Sequence, residues 1–450
     1  MFCLDIGDYS EDQGWQEMND PVTVGIIGLA IFFILLVIGV PISASMAIVG
    51  FVGFSLIISF SGALLKLAIT PFQVATSYEL AVIPLFILMA HICFGSGFTK
   101  DLYNLVYSWL GRFHGGLAIA SIAACAIFAA ISASSIATAV TLGLVALPEM
   151  RKYKYDDTLA TGSIAAGGTL GSMIPPSGAF IVYGMITENS IGKLFMAGVF
   201  PGILQATLYA ITIYIMCRYK PSLGPRGPKT TWKEKFTPLL SCGEIGLLIF
   251  LTLGGLFIGW FTPTEAGAVG AAGAIIISIA RKRFTLQVLK DACFNTAKTT
   301  GMIYFLIIGA FLMNFFLASS TIPNLIVEYV SVLVLSKYIV MGMIIIIYLI
   351  LGCFIDGLGM VLLTIPVIYP LVISLGFNPI WFGVIIVLMG EVAVTTPPVG
   401  MNVFAISGIT DVPITTVYKG ILPFFIANVI LIAIIVAFPQ ISLWFPSLMK

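Results

Sequence analysis

Long apolar runs separated by short polar stretches dominate this chain, and the runs have the length of membrane crossings. Segments 22–39, 42–60, 80–97, 241–260, 264–280, 298–318 and 414–438 approach or reach the roughly 20 residues that carry an α-helix through a bilayer. Backbone in lipid must satisfy its own hydrogen bonds, so such runs predict helices. Stretches 99–113 and 322–336 are amphipathic instead, with Tyr103, Tyr107 and Trp109 suited to an interface. They predict connecting arms that lie in the headgroup layer.

Four apolar segments do not read as plain crossings. Segment 115–148 has 34 residues and a polar centre, Ser132-Ala133-Ser134-Ser135. Segment 339–375 has its polar centre at Asp356-Gly357, and segments 158–190 and 380–411 are interrupted at Pro175-Pro176 and Pro397-Pro398. The first pair predicts helical hairpins that enter the membrane and turn back. The second pair predicts broken helices.

These features repeat at an offset of 222 residues. Pro41/Pro263, Pro148/Pro370, Pro175/Pro397, Pro176/Pro398 and Pro201/Pro423 keep the register, as does Gly178/Gly400. Among 23 prolines, chance supplies roughly one pair at a chosen offset, so five argue for a duplicated architecture. Five crossings separate equivalent positions, an odd number, so the halves are inverted, as in many secondary transporters. The fold class is therefore an all-α polytopic membrane protein with two inverted repeats, each holding a re-entrant hairpin and an interrupted transmembrane helix. The predicted boundaries are an acidic external tail over 1–21, repeat one over 22–238 with hairpin 115–148 and broken helix 158–190, repeat two over 239–438 with hairpin 339–375 and broken helix 380–411, and an external tail over 439–450.

Composition agrees: 59% of positions are hydrophobic and 9% charged, against about 25% charged in ordinary soluble domains. The charge distribution orients the chain. Sixteen of the 21 basic residues lie in four clusters, at Lys100 and Arg112, at Arg151–Lys154, between Arg218 and Lys235, and between Arg281 and Lys298, which assigns those loops to the cytoplasm. A single span over 115–148 would put Arg112 and Arg151 on opposite sides, whereas a hairpin keeps them together; each arm, about 16 residues, reaches roughly 24 Å. The first 20 residues hold six acids and no Lys or Arg, so they read as an external tail and not as a signal peptide; both termini are then outside.

The breaks are where chemistry is expected. Proline lacks an amide hydrogen and clashes one turn back, so the two motifs are expected to free the carbonyls of Gly171 and Ser172, and of Ala393 and Val394. Free carbonyls deep in a membrane must be buried in protein or line a wet cavity. With the serines of the first turn and Asp356 of the second they form a set of hard oxygen donors suited to a hard cation such as sodium. Helix ends at turns and breaks could meanwhile present positive dipole ends to an anionic substrate, near Ser135, Ser177, Gly400 and Asn402. Glu391 lies six residues before Pro397, where an intramembrane acid reads either as functional or as a structural group paired with Lys or backbone amides. The seven cysteines (Cys3, Cys93, Cys125, Cys217, Cys242, Cys293, Cys353) have no metal-ligand spacing, and His91 and His114 make no proton relay. HExxH, paired CxxC and GxSxG motifs are absent, which argues against an intramembrane enzyme.

At these motifs the chain resembles the large membrane subunit of the tripartite ATP-independent periplasmic (TRAP) transporters. The carrying runs are ISASSIATA at 131–139, LGSMIPPSGAFIVYG at 170–184, TENSIGKLFMAGVFPG at 187–202, GCFIDGLGMVLLTIPVIYP at 352–370 and EVAVTTPPVGMNVF at 391–404. The resemblance implies a bacterial or archaeal inner-membrane permease, with no cofactor, that uses Na+ as its coupling ion. Its implied partners are a four-helix small membrane subunit and a soluble periplasmic binding protein that delivers a small organic anion. It further implies an elevator motion of hairpins and broken helices against a scaffold. Carried over by position, Ser132, Ser134, Pro175, Pro176 and Gly178 would surround one sodium ion, and Asp356, Gly357, Thr395, Thr396 and Pro398 a second. Two positions depart from the family pattern: Ala133 stands where glycine is common, and Gly357 where proline is common. A stand-alone sodium/dicarboxylate or citrate symporter of the same broad fold is the nearest alternative.

Overall fold

A computed structural model of the chain describes residues 20–227, 232–333, 335–398 and 400–449. Residues 1–19 of the acidic tail, and Cys3 with them, lie outside the described residues. Asp20 and Pro21 open the first helix, Pro21–Val37, with the Asp20 carboxylate accepting from the Thr23 amide. The described chain is helical, without a strand among its described residues. Six described helices are long and apolar enough to cross a membrane; Val82–Gly95 and Phe98–Leu110, bent 70° apart, would make a seventh as a broken span.

The chain divides into two compact units, and each draws on both sequence repeats. One contains the chain up to Ser77 with Gly301–Gly342 and Leu362–Phe377; the other contains Tyr78–Thr300, Met343–Val361 and the chain from Asn378 on.

In the first unit Pro21–Val37 packs on Ile42–Ile57, and both lie against the stretch around Leu312–Ser320. Contact there is backbone to backbone. A Cβ on Gly50 would stand 2.4 Å from the Leu312 carbonyl carbon, and one on Gly309 would stand 2.3 Å from the Ser43 oxygen. Small residues permit this approach where lipid supplies little hydrophobic drive to join helices. A helix over Phe60–Thr76 completes this part of the chain. The sequence reading passed it over because Lys66, Gln73 and Pro71 interrupt its hydropathy; Lys66 lies over the Phe315 ring, 4.1 Å from its centroid. The ends of the second hairpin also meet in this unit, with the rings of Tyr338 and Phe377 6.1 Å apart.

The second unit holds the first hairpin, the tip of the second, and both interrupted helices. Hairpin arms Gly116–Ser132 and Ser135–Lys152 run antiparallel, and their outer ends come together. The Leu117 amide donates to the Tyr155 hydroxyl at 3.1 Å, and the Tyr107 and Tyr153 hydroxyls lie 3.2 Å apart. Arg112 and Arg151 therefore leave from the same end of the hairpin. Burial pushes the Tyr155 phenol above its usual range, so it remains neutral at this junction.

The interrupted helices are antiparallel to each other. The first comprises Asp157–Gly168, Leu170–Met173 and Gly178–Thr187; the second comprises Pro379–Ala393 and Met401–Thr410. Arg151, just before the first begins, donates to the Thr410 carbonyl where the second ends (3.2 Å). Tyr183, near the end of the first, donates to the Pro379 carbonyl where the second begins (2.6 Å). This is the inversion expected of the repeats.

Two segments carry more helix than their apolar runs indicate. Segment 298–318 is the second part of a 34-residue helix, Leu286–Ser319. Polar residues in its first turns, such as Asn295 and Lys298, hide its start from a hydropathy reading. The predicted external tail 439–450 contains a helix, Gln440–Ser447, docked by aromatic contacts of Trp444 and Phe445 with Phe200 and of Phe445 with Phe257.

Candidate functional site

The first hairpin turns at Ala133, which adopts left-handed backbone (φ 55°) although it is not glycine. Ser134 then caps Ser135–Lys152, its hydroxyl accepting from the Ala137 amide at 3.4 Å. Around this cap is a small knot of oxygens. Thr138 Oγ1 donates to the Ser134 carbonyl (2.8 Å) and lies 2.5 Å from Ser132 Oγ, so Ser132 donates to Thr138. Thr138 was not among the expected site residues. Its place four positions after Ser134 in ISASSIATA, one helical turn on, was the available signal.

This turn sits directly on the first break. A Cβ on Gly171 would stand 2.5 Å from the Ser134 carbonyl oxygen and 2.6 Å from Thr138 Oγ1, and one on Gly178 would stand 3.7 Å from the Ala133 oxygen. Pro175 and Pro176 are buried between them, joined by a cis peptide bond. Ser177, fully buried, caps Gly178–Thr187 by accepting from the Phe180 amide at 3.3 Å. The hairpin turn and the chain leading into the break thus meet at Ser134 and Gly171, and the closeness has a plain cause: glycine at 171 lets one backbone reach the other.

The second turn meets the second broken helix one turn before its break. A Cβ on Gly357 would lie 2.9 Å from the Gly390 carbonyl oxygen, and one on Gly352 would lie 2.8 Å from the Ala393 Cβ. The Asp356 carboxylate turns back on its own helix and accepts from the Gly359 amide (3.3 Å).

The expectation for the carbonyls at this break is corrected. Those of Ala393 and Val394 are not free: the Thr396 amide donates to the first (3.2 Å) and the Asn402 amide to the second (3.0 Å). The chain between the half-helices is long enough to curl back and satisfy them. Thr395 and Thr396 spend their hydroxyl protons on the Val392 carbonyl, at 2.8 and 2.6 Å, which leaves oxygen lone pairs as their donors toward a cation. Pro398 stands apart. It is exposed, and its carbonyl accepts from the Tyr418 hydroxyl at 3.2 Å. Gly400 is tucked beside that same hydroxyl, 2.8 Å from where its Cβ would be. Asn402 is buried and donates to the Ala165 carbonyl (3.2 Å), tying the second broken helix to the first; its Oδ1 has no hydrogen-bond partner among the described residues.

The structural reading of Glu391 needs revision. Among the described residues its side chain, on a residue 5% exposed, meets neither Lys nor a backbone amide: Ser135 Oγ donates to its Oε2 at 2.6 Å across 256 residues of sequence. Ser172 Oγ lies 2.7 Å from Ser135 Oγ, and since the Ser135 proton points to the carboxylate, Ser172 is the donor between them. Sequence reasoning also missed a buried polar cluster nearby. Gln205 and Tyr209 both donate to Asn428 Oδ1, at 3.1 and 2.7 Å, and so join Ile191–Tyr219 to Ile414–Ala437. Gln205 and Tyr209 lie one helical turn apart, but nothing local in the sequence pairs them with Asn428.

Comparison with known proteins agrees with this architecture. The family model for the DctM component of tripartite ATP-independent periplasmic transporters matches residues 29–441. The chain is 34% identical to the C4-dicarboxylate TRAP transporter large permease protein DctM of Pseudomonas aeruginosa, over 85% of this chain and 89% of that one. It is 32% identical to the sialic acid TRAP transporter permease protein SiaT of Haemophilus influenzae, over 94% of this chain and 68% of that longer one. Among solved structures, the Alcanivorax borkumensis YdaH transporter shares the fold, with a TM-score of 0.52 at 12% identity over 81% of this chain and 87% of that one. With inverted repeats, paired hairpin turns and paired diproline breaks in place, the chain belongs to the DctM family of large TRAP transporter permeases.

Proposed function

We propose that this permease imports a small organic anion, of the C4-dicarboxylate or sialic acid class, by sodium symport across a bacterial inner membrane. The carrying observation is the seat of the first hairpin turn on the first break, where the Ser134 carbonyl and the Thr138 hydroxyl lie against Gly171 and the Ala133 carbonyl faces Gly178. A donor set of hydroxyls and peptide oxygens, without sulfur or imidazole, suits an alkali cation. Ser132, Ser134 and the backbone at Pro175, Pro176 and Gly178 would hold one sodium ion. Asp356, Gly357, Thr395, Thr396 and Pro398 would hold a second.

The substrate class follows from what the relatives' names specify. A soluble periplasmic protein delivers the anion, and a small membrane subunit works beside this chain; the greater length of SiaT leaves room for a second component in the same polypeptide. Transport proceeds as an elevator, with hairpin tips and broken helices moving as one body. Uptake into proteoliposomes tests the reading: an inward sodium gradient should drive accumulation of a C4-dicarboxylate or sialic acid only when the soluble binding protein is added. Accumulation without that protein would favour the stand-alone symporter, and accumulation without sodium would overturn the coupling.

A further inference from the structure

One hydroxyl ties an element of the first repeat to one of the second at the level of both turns. Ser135 is the first residue of the 18-residue helix Ser135–Lys152 and immediately follows Ser134, a proposed ligand of the first ion. Its proton goes to Glu391, which lies on Pro379–Ala393 next to Gly390, the residue pressed against Gly357 of the second turn. A buried carboxylate left alone in apolar surroundings would cost several kcal/mol. This one meets the Ser135 hydroxyl at the start of Ser135–Lys152, with Ser172 of the first break beside that hydroxyl. No ion pair to Glu391 is found among the described residues, so the hydroxyl chain is its principal polar support.

The arrangement is a mechanical link as well as polar support for a buried group. If an ion orders the turn at Ser132–Ser134, it also fixes the direction of the next residue's hydroxyl, and that hydroxyl holds the helix on which the second turn rests. We infer that Glu391, acting through Ser135, is the positioning residue that couples the two sodium sites, so that occupation of one favours occupation of the other. The inference rests on the sodium reading given above. Coupling between sites typically amounts to about 5–150-fold in affinity, large enough to appear as cooperative sodium activation.

The test is the sodium dependence of uptake by the complete transporter in proteoliposomes, read as Hill coefficient and half-saturating sodium. The unaltered protein should show a Hill coefficient above one. Ser135→Ala and Glu391→Ala should bring it toward one and raise half-saturating sodium about 5-fold or more. Glu391→Gln keeps both bulk and an oxygen that can accept from Ser135, whereas Glu391→Leu keeps bulk alone; recovery by Gln and not by Leu is the pattern a role in packing would not give. If Glu391→Ala does not reach the membrane, Ser135→Ala, which removes a single oxygen, carries the test. A Hill coefficient of one in the unaltered protein, or an unchanged one in Ser135→Ala with sodium activation intact, overturns the coupling. Absence of sodium activation in every protein would instead overturn the sodium reading itself.

Discussion

The two breaks share a motif, a cis diproline bond and a position in the repeat, yet they are built differently. At the first, Pro175 and Pro176 are buried and a hairpin turn lies directly on the interruption, with Gly171 and Gly178 facing Ser134 and Ala133. At the second, Pro397 and Pro398 are exposed, the hairpin turn touches the helix at Gly390 and Ala393, and the nearby carbonyls are taken by Thr396, Asn402 and Tyr418. A proline pair interrupts a helix in both places, but what becomes of the unpaired groups depends on what packs against them. The first break is covered by a hairpin turn, whereas the second is left exposed and closes its carbonyls through residues of its own repeat.

Crowding offers the strongest test of that contrast. Gly171→Ala puts a Cβ against a backbone oxygen at 2.5 Å, whereas the nearest atom to a Cβ at Gly357 is at 2.9 Å. Overpacking of this kind costs about 1–3 kcal/mol, so Gly171→Ala should show the larger fall in melting temperature in detergent and the larger loss of uptake. A greater loss from Gly357→Ala would reverse the ranking of the two breaks.

Removing a proposed ligand oxygen gives a smaller, more selective effect. Ser134→Ala also loses a helix cap, worth about 1 kcal/mol, whereas Thr396→Val loses a hydroxyl that donates to the end of the preceding helix. Both should weaken sodium activation more than they lower melting temperature, Ser134→Ala the more strongly. Unchanged sodium activation in both variants at normal expression would remove these positions from the ion sites. The smallest change expected is from Tyr418→Phe, which takes a donor from the Pro398 carbonyl at a part-exposed site and should cost about 0.5–1 kcal/mol of stability. A loss of stability as large as that from Gly171→Ala would show that the second break depends on this contact far more than its exposure suggests.

Much of the site was legible in the sequence because it depends on local chain chemistry. Diprolines interrupt helices wherever they occur in them, and Ser132–Ser135 and Asp356-Gly357 stood out as polar turns inside apolar segments. Thr138 carried a local signal, one helical turn after Ser134, but Ser172 and the partner of Glu391 were not legible. Each of these depends on a contact with a distant segment, and the Ser135–Glu391 bond spans 256 residues. The helix Phe60–Thr76 was hidden for a related reason: its lysine has an aromatic partner, Phe315, far along the chain.

The sequence by itself determined that this is a helical membrane protein of two inverted halves, because hydropathy, basic clusters and prolines at a fixed offset act through local propensity and bilayer thickness. Tertiary structure alone decided which oxygens at the breaks have partners, that Ala133 must take left-handed backbone, and that Glu391 answers to Ser135. Those outcomes depend on approaches of a few ångströms between segments remote in sequence, and hydrogen bonds and close glycine contacts are sensitive to just such distances.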